Sequence, residues 1–230
     1  MADGLDSIEV IRTIERLSKR IEERFPESGL LRVSGELLEI ARAAMDRSIW
    51  IAKPHSALQA AVAILIVGML AAIVGIVIGL HPEDSQFGFG EFISVLEAGM
   101  NVVIFVAIAI FFLVGLERRI KRARALQAVH ELRALAHVID MHQLTKDPDR
   151  ILGHAVATKS EPVRIAPEHL GRYLDFCSEL LSLVGKVAAL YVQRFDDSAA
   201  IASVNEVETL TTGLSRKIWQ KLMIVHSRGA

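Results

Sequence analysis

The sequence predicts an all-α membrane protein in which a two-helix transmembrane hairpin carries a cytoplasmic helical bundle and the second span continues as a long cytoplasmic helix. Three observations predict this. Two long runs, 57–80 and 98–116, are free of Asp, Glu, Lys and Arg, and all 26 Lys and Arg lie before residue 57 or after residue 116. Outside those runs apolar residues recur every three or four positions, the spacing of amphipathic helices. Composition agrees: 52% hydrophobic residues combined with 23% charged residues suit a few spans joined to a water-soluble part.

The first helical pattern opens at Asp6 with Glu9, a capping-box spacing, and places Val10, Ile14, Leu17, Ile21 and Phe25 on one stripe. Pro26 to Gly29 breaks it. A second helix is expected from about Ser34 toward Trp50, with Leu37, Ile40, Ala41, Ala44 and Met45 inward, ending at Lys53-Pro54. These helices make up a cytoplasmic N-terminal segment, 1–54. The start of the chain has no basic stretch feeding an apolar core, so the first span is expected to serve as its own insertion signal.

The hairpin occupies 55–116, with spans at about 57–80 and 94–116. A span needs roughly 20 apolar residues to cover a hydrocarbon core of about 30 Å, and both runs meet or approach that length. The connector 81–91 is short, acidic and Gly-rich, and it contains Pro82, which fits a turn between antiparallel helices. Arg42, Arg47 and Lys53 precede the first span, while Arg118, Arg119, Lys121, Arg122 and Arg124 follow the second. The positive-inside rule then puts both termini in the cytoplasm and predicts a multi-pass protein of the plasma (cytoplasmic or inner) membrane. Trp50 on one side, and Phe87, Phe89 and Phe92 on the other, are the expected interfacial aromatics.

No helix breaker appears between Phe92 and Asp147-Pro148, so the second span is expected to continue as a cytoplasmic stalk helix, 117–146. Ala125, Val129, Leu132, Ala136 and Ile139 alternate four and three apart along it, a coiled-coil seam built partly of small residues. The segment 147–166 has no clear period and reads as a linker. From 167 to 230 a helical hairpin is predicted. Its first arm carries two adjoining stripes, one beginning Leu170, Leu174, Cys177, the other Tyr173, Phe176, Leu180. Asp196 and Asp197 supply the turn and the cap of a last helix bearing Val204, Val207, Leu210, Leu214, Ile218 and Leu222. Such a hairpin needs the first two helices and the stalk to cover it.

Four groups of residues are candidates for function. Ala71, Gly75 and Gly79 place small side chains on one face of the first span, where another helix can approach closely, either the second span or a neighbouring copy. Glu97 and Asn101, one turn apart at the outer end of the second span, are either solvated at the interface or part of a pore or ion contact. His130, His137, Asp140 and His142 form the densest run of potential ligands and could serve as a pH-sensing or ligand face if copies of the stalk met on an axis. The spacing of His130 and His137 is too wide for one metal on one straight helix and does not match a zincin motif. The simpler reading is polar packing within a bundle. Arg118, Arg119, Lys121, Arg122 and Arg124 suit anionic lipid headgroups.

No catalytic motif, phosphate-binding loop or nucleic-acid module is visible, and the single Cys177 forms no intrachain disulfide. No cofactor or metal is expected. The expected function is that of a membrane-anchored helical interaction, scaffold or signalling protein without catalytic activity. It would be homo-oligomeric, with the bilayer and a cytoplasmic or membrane protein as partners. The alternative is a subunit of an oligomeric ion channel or small-solute conduit gated by its cytoplasmic domain.

Overall fold

In a computed structural model, residues 5–52, 56–79, 89–151, 165–193 and 195–228 are described. Among them every regular element is an α-helix: α1 (Ser7–Arg24), α2 (Gly29–Ala52), α3 (Ser56–Gly79), α4 (Phe89–Leu144), α5 (Pro148–Ile151), α6 (Pro167–Val192) and α7 (Ser198–Arg228). The chain divides into two compact units, one formed by Met1–Ala52 with Arg122–Ala230, the other by Lys53–Lys121. The boundary between them falls inside α4, which runs unbroken for 56 residues.

The first unit is a helical bundle around one core. Asp6 caps α1 by accepting from the Ile8 N–H at 2.9 Å. Glu9 does not complete the reciprocal capping box; its carboxylate binds Arg16 at 2.6 Å instead. Val10, Ile14, Leu17 and Ile21 are buried as their spacing predicts. The second helix begins at Gly29, a turn and a half before the expected Ser34. The Ser28 hydroxyl accepts from the Leu31 N–H at 3.3 Å, and the extra turn buries Leu30 and Val33. Ser34 is itself fully buried, where its hydroxyl meets that of Ser18 at 2.9 Å and donates to the Leu31 carbonyl.

Both stripes of α6 are buried, from Leu170 to Tyr191 on one and from Tyr173 to Leu190 on the other. Asp197 caps α7 by accepting from the Ala199 and Ala200 N–H groups at 3.1 Å. The four-three seam of α4, from Ala125 to Ile139, is at most 1% exposed and joins the same core within this one chain. From Arg122 onward the predicted stalk thus packs one face into the bundle, as the cover the hairpin was expected to need, while its other face is exposed. Within 147–166, Pro148–Ile151 forms a short helix, α5, with Ile151 buried. The residues 152–164 lie outside the described part.

Named contacts give the helix directions. Arg42 meets Glu15 and Ser34 meets Ser18, so α1 and α2 are antiparallel. Arg20 pairs with Glu179, and the Gln193 amide, oriented to donate to the Leu5 carbonyl, lies 3.1 Å from it, so α1 and α6 are antiparallel as well. Gly185 of α6 faces Thr211 and Glu208 across the hairpin to α7. Arg122, Arg133 and Gln143 of α4 meet Asp197, the cap of α7, and Glu206 and Lys221 of α7 in rising order, so these two helices are parallel. Taken together, the end of α2 and the point where α4 enters the bundle share one end of this unit with Leu5, Gln193 and Asp197.

The second unit holds α3 and the first part of α4, and its surface is inverted. Ile64, Val67, Leu70 and Ile78 of α3 are exposed, as are Met100, Phe105, Ile108, Phe111 and Phe112 of α4, Phe111 at 83%. Partly covered residues follow helical spacing on one face of each helix: Leu65, Met69 and Ile73 on α3, and Val102, Val106, Ile110 and Leu113 on α4. Among the described residues one helix is long and apolar enough to cross a membrane, the stretch of α4 from Leu96; the apolar part of α3, Ala60–Gly75, is shorter. The side chains of Trp50, Gly79, Phe89 and Phe92, and the whole of Phe87, lie outside the described part.

Candidate functional site

The polar chemistry of the bundle concentrates where α4 is fastened to its neighbours. At the first fastening, Arg122 projects from α4 onto Asp197, with Nε at 2.8 and 3.0 Å from the two carboxylate oxygens and Nη2 at 2.7 Å from one of them. Asp197 is 7% exposed, and it is also the cap of α7. Its carboxyl is held below the usual range first by the hydrogen bond from Arg122, with burial opposing and the Ala200 N–H and the Arg122 charge assisting. One carboxylate thus joins α4 to α7 and satisfies orphan N–H groups in the first turn of α7.

At the other end of this segment, Lys221 of α7 donates to the Gln143 carbonyl at 2.8 Å and the Lys146 carbonyl at 3.4 Å, closing the C-terminus of α4. Burial lowers its pKa, against the pull of Asp147, Asp140 and the Cys177 thiol. The Gln143 amide, 1% exposed, donates to Asp140 at 2.6 Å, while its oxygen meets no hydrogen-bond partner among the described residues. Cys177 is fully buried, and burial pushes its thiol up to about 12, so it is an unreactive core residue.

Beside this end, His142 lies across the first turn of α2. A Cβ added at Gly29 would land on its imidazole ring. Desolvation lowers the His142 pKa, Arg32 and Lys146 lower it further, and Glu36 opposes them. The other members of the predicted ligand face are elsewhere: His130 and His137 are exposed on α4, and Asp140 serves Gln143. Among the described residues no three His, Cys, Asp or Glu side chains gather as a metal site.

The remaining candidates lie in the second unit. Ala71 and Gly75 are exposed, and no described atom comes within 4 Å of a Cβ built at Gly75. Glu97 and Asn101 are exposed on the side of α4 away from its partly covered face. Arg118 and Arg119 are exposed just past the apolar run, whereas Lys121 is 9% exposed and pairs with Glu117 at 2.8 Å.

Two surface features were not anticipated from sequence. An open groove of about 580 Å³ between α1 and α6 has Leu5, Val10 and Leu183 along it and Glu9 and Lys186 at its rim. Farther along the same pair of helices, Arg20 and Arg172 stack at 5.1 and 5.9 Å on the ring of Phe176. Both guanidinium groups have carboxylate partners, Glu179 and Asp175. No sequence signal marks either feature, because each depends on which side of α6 receives α1. Arg122 and Lys221 are coded as ordinary charges inside long helices, and only Asp197 carried a readable signal, its capping position.

No protein-family model, curated protein or solved structure matches this chain.

Proposed function

We propose that the chain is a membrane-anchored helical interaction protein, a scaffold or signalling module without catalytic activity of its own. In this reading α3 and the outer half of α4 cross a bilayer as a hairpin, and the bundle sits on the cytoplasmic side with both termini. One observation carries it. The helix α4 is continuous, yet its largest apolar side chains, Phe105, Ile108, Phe111 and Phe112, are exposed before Leu116, whereas the seam from Ala125 to Ile139 is buried after Arg122. Exposing Phe105, Ile108 and Phe111 to water is costly at about 25 cal/mol per Å² of apolar surface, whereas hydrocarbon solvates them without that cost.

Two further points support the hairpin. The chain leaves the bundle after Ala52 and re-enters at Arg122 at one and the same end, as two antiparallel spans require. Arg118 and Arg119 follow the apolar run directly and are exposed, where cytoplasmic headgroups would meet them.

The test is insertion and sidedness. The full chain should float with phosphatidylcholine vesicles and resist alkaline extraction, and a cysteine at Ser85 should react with a membrane-impermeant maleimide from outside intact cells. Extraction into the aqueous phase, or labelling of Ser85→Cys from the inside alone, would sink the reading. A conduit remains the second reading, favoured by Glu97 and Asn101 lying on an exposed face. It requires ion flux in proteoliposomes that changes with Glu97→Ala. Identical or absent flux removes it.

A further inference from the structure

We infer that the outer half of α4 pairs in parallel with α4 of a second copy of this chain, along a seam made by Glu97, Asn101, Ile104, Ile108, Phe111 and Gly115. The inference rests on the membrane reading above and adds the partner. These six positions alternate four and three apart without interruption, the spacing that keeps one face of a helix against a parallel neighbour.

Among the described residues the seam has no cover within the chain. Val102, Val106, Ile110 and Leu113 form the partly covered face of α4. Each of Ile104, Ile108 and Phe111 lies two residues from one of these, which is about 200° around the helix. Accordingly Ile104 is 50%, Ile108 59% and Phe111 83% exposed, and no described atom comes within 4 Å of a Cβ built at Gly115.

An apolar face in a membrane needs no protein cover, because lipid serves. The polar end of this seam decides the matter. Asn101 stands within the uncharged run 98–116, and its carboxamide faces away from the chain's own covered side. In hydrocarbon an amide without a partner is strongly disfavoured. A carboxamide is both donor and acceptor, so the same residue on a parallel copy satisfies it, and its remaining N–H can reach the Glu97 carboxylate one turn farther out. A lone Asn in an apolar seam also fixes register, since any shift leaves two amides facing aliphatic side chains. The Gly115 end lets the two backbones close together below Phe111.

Disulfide trapping reads the seam directly. Ile104→Cys, Ile108→Cys and Phe111→Cys, each in the full chain in phosphatidylcholine vesicles, should give a dimer on copper-phenanthroline oxidation. Val102→Cys, Val106→Cys and Ile110→Cys should give little, and Cys177 is too buried to contribute. In the same vesicles Asn101→Leu should weaken association, read by energy transfer between labelled copies, by roughly three- to twentyfold. Equal trapping on both faces, a ladder beyond the dimer, or unchanged association of Asn101→Leu overturns the pairing. Flotation separates the two levels of failure. A chain that floats with vesicles but does not trap defeats the seam alone, and a chain that does not float defeats the membrane reading and the seam together.

Discussion

The two halves of α4 have nearly opposite surfaces. Before Leu116 the helix turns its largest apolar side chains outward, and Phe111 is 83% exposed; after Arg122 a stripe from Ala125 to Ile139 turns inward, with Leu132 and Ile139 fully buried, while Met141 and Leu144 near its end are exposed. Sequence composition alone separates the halves only by the arrival of charge at Glu117. The difference teaches that the same helical propensity is used in two ways. The inner half is stabilised by water driving its stripe into a core, and the outer half has no such force within the chain.

The largest expected effect tests that contrast. Leu132→Ala should destabilise the bundle by about 2–5 kcal/mol, the transfer term plus the cavity left among buried neighbours. Phe111→Ala, although it removes a larger side chain, should shift the same transition by less than about 0.5 kcal/mol, because its ring contributes nothing to that core. Urea titration of the bundle signal checks both. Similar losses from the two substitutions would show that the outer half also packs on something within the chain.

At the junction between the two halves, Arg122 and Asp197 tie the entering helix to α7. Asp197→Ala removes the cap and the partner of Arg122 together, and the expected loss is about 1–3 kcal/mol. The Arg122 side chain is 45% exposed, so water replaces part of what it loses and the figure stays below that of a fully buried pair. The pH dependence has a definite sign. Because the folded carboxyl titrates below its ordinary 3.8, its contribution is present above that value and is lost as pH falls through the lower folded value. The wild type should therefore lose an acid-labile increment that Asp197→Ala lacks. Parallel acid arms of the two stability curves would show the pair to be unimportant.

How far the sequence goes depends on the kind of feature. Stripes that obey a period were legible: those of α1, α6 and α7 are buried residue for residue, apart from Phe25, Leu210 and Phe195, the last residue of the first stripe that begins at Leu170, which are only partly covered. The start of α2 was not: the helix was expected from about Ser34, whereas Ser34 lies inside it as a buried hydroxyl sharing a hydrogen bond with Ser18, a partner on another helix. The role of α4 was half legible. Its seam was visible, but Ala125, Val129, Leu132, Ala136 and Ile139 cannot themselves indicate whether a second copy or the chain's own helices cover them. The candidate sites fared similarly. His130, His137 and His142 are close in sequence, yet helical rotation sends the first two to solvent and the third onto α2. Gly29 gave no warning, since its reason for being glycine lies more than a hundred residues away.

The smallest expected effect concerns that last contact. Gly29→Ala should gain a fraction of a kcal/mol from helix propensity and lose about 1–3 kcal/mol from crowding the His142 ring, for a net loss near 1 kcal/mol. The double variant with His142→Ala separates the terms, because it should tolerate alanine at 29 far better than the single variant does. The imidazole also leaves a pH signature. Burial, Arg32 and Lys146 lower its folded pKa below the ordinary 6.5, so the unfolded chain takes up the proton first. Stability should be level above about 6.5 and should fall as pH drops from there toward the folded value, a slope that His142→Gln abolishes. Since α2 begins at Gly29 and the inner half of α4 ends just beyond His142, a slope that survives in His142→Gln would place the acid-sensitive contact elsewhere in the bundle. Loss of the slope in that variant alone would fix this contact as the one through which mild acid loosens α4 from α2.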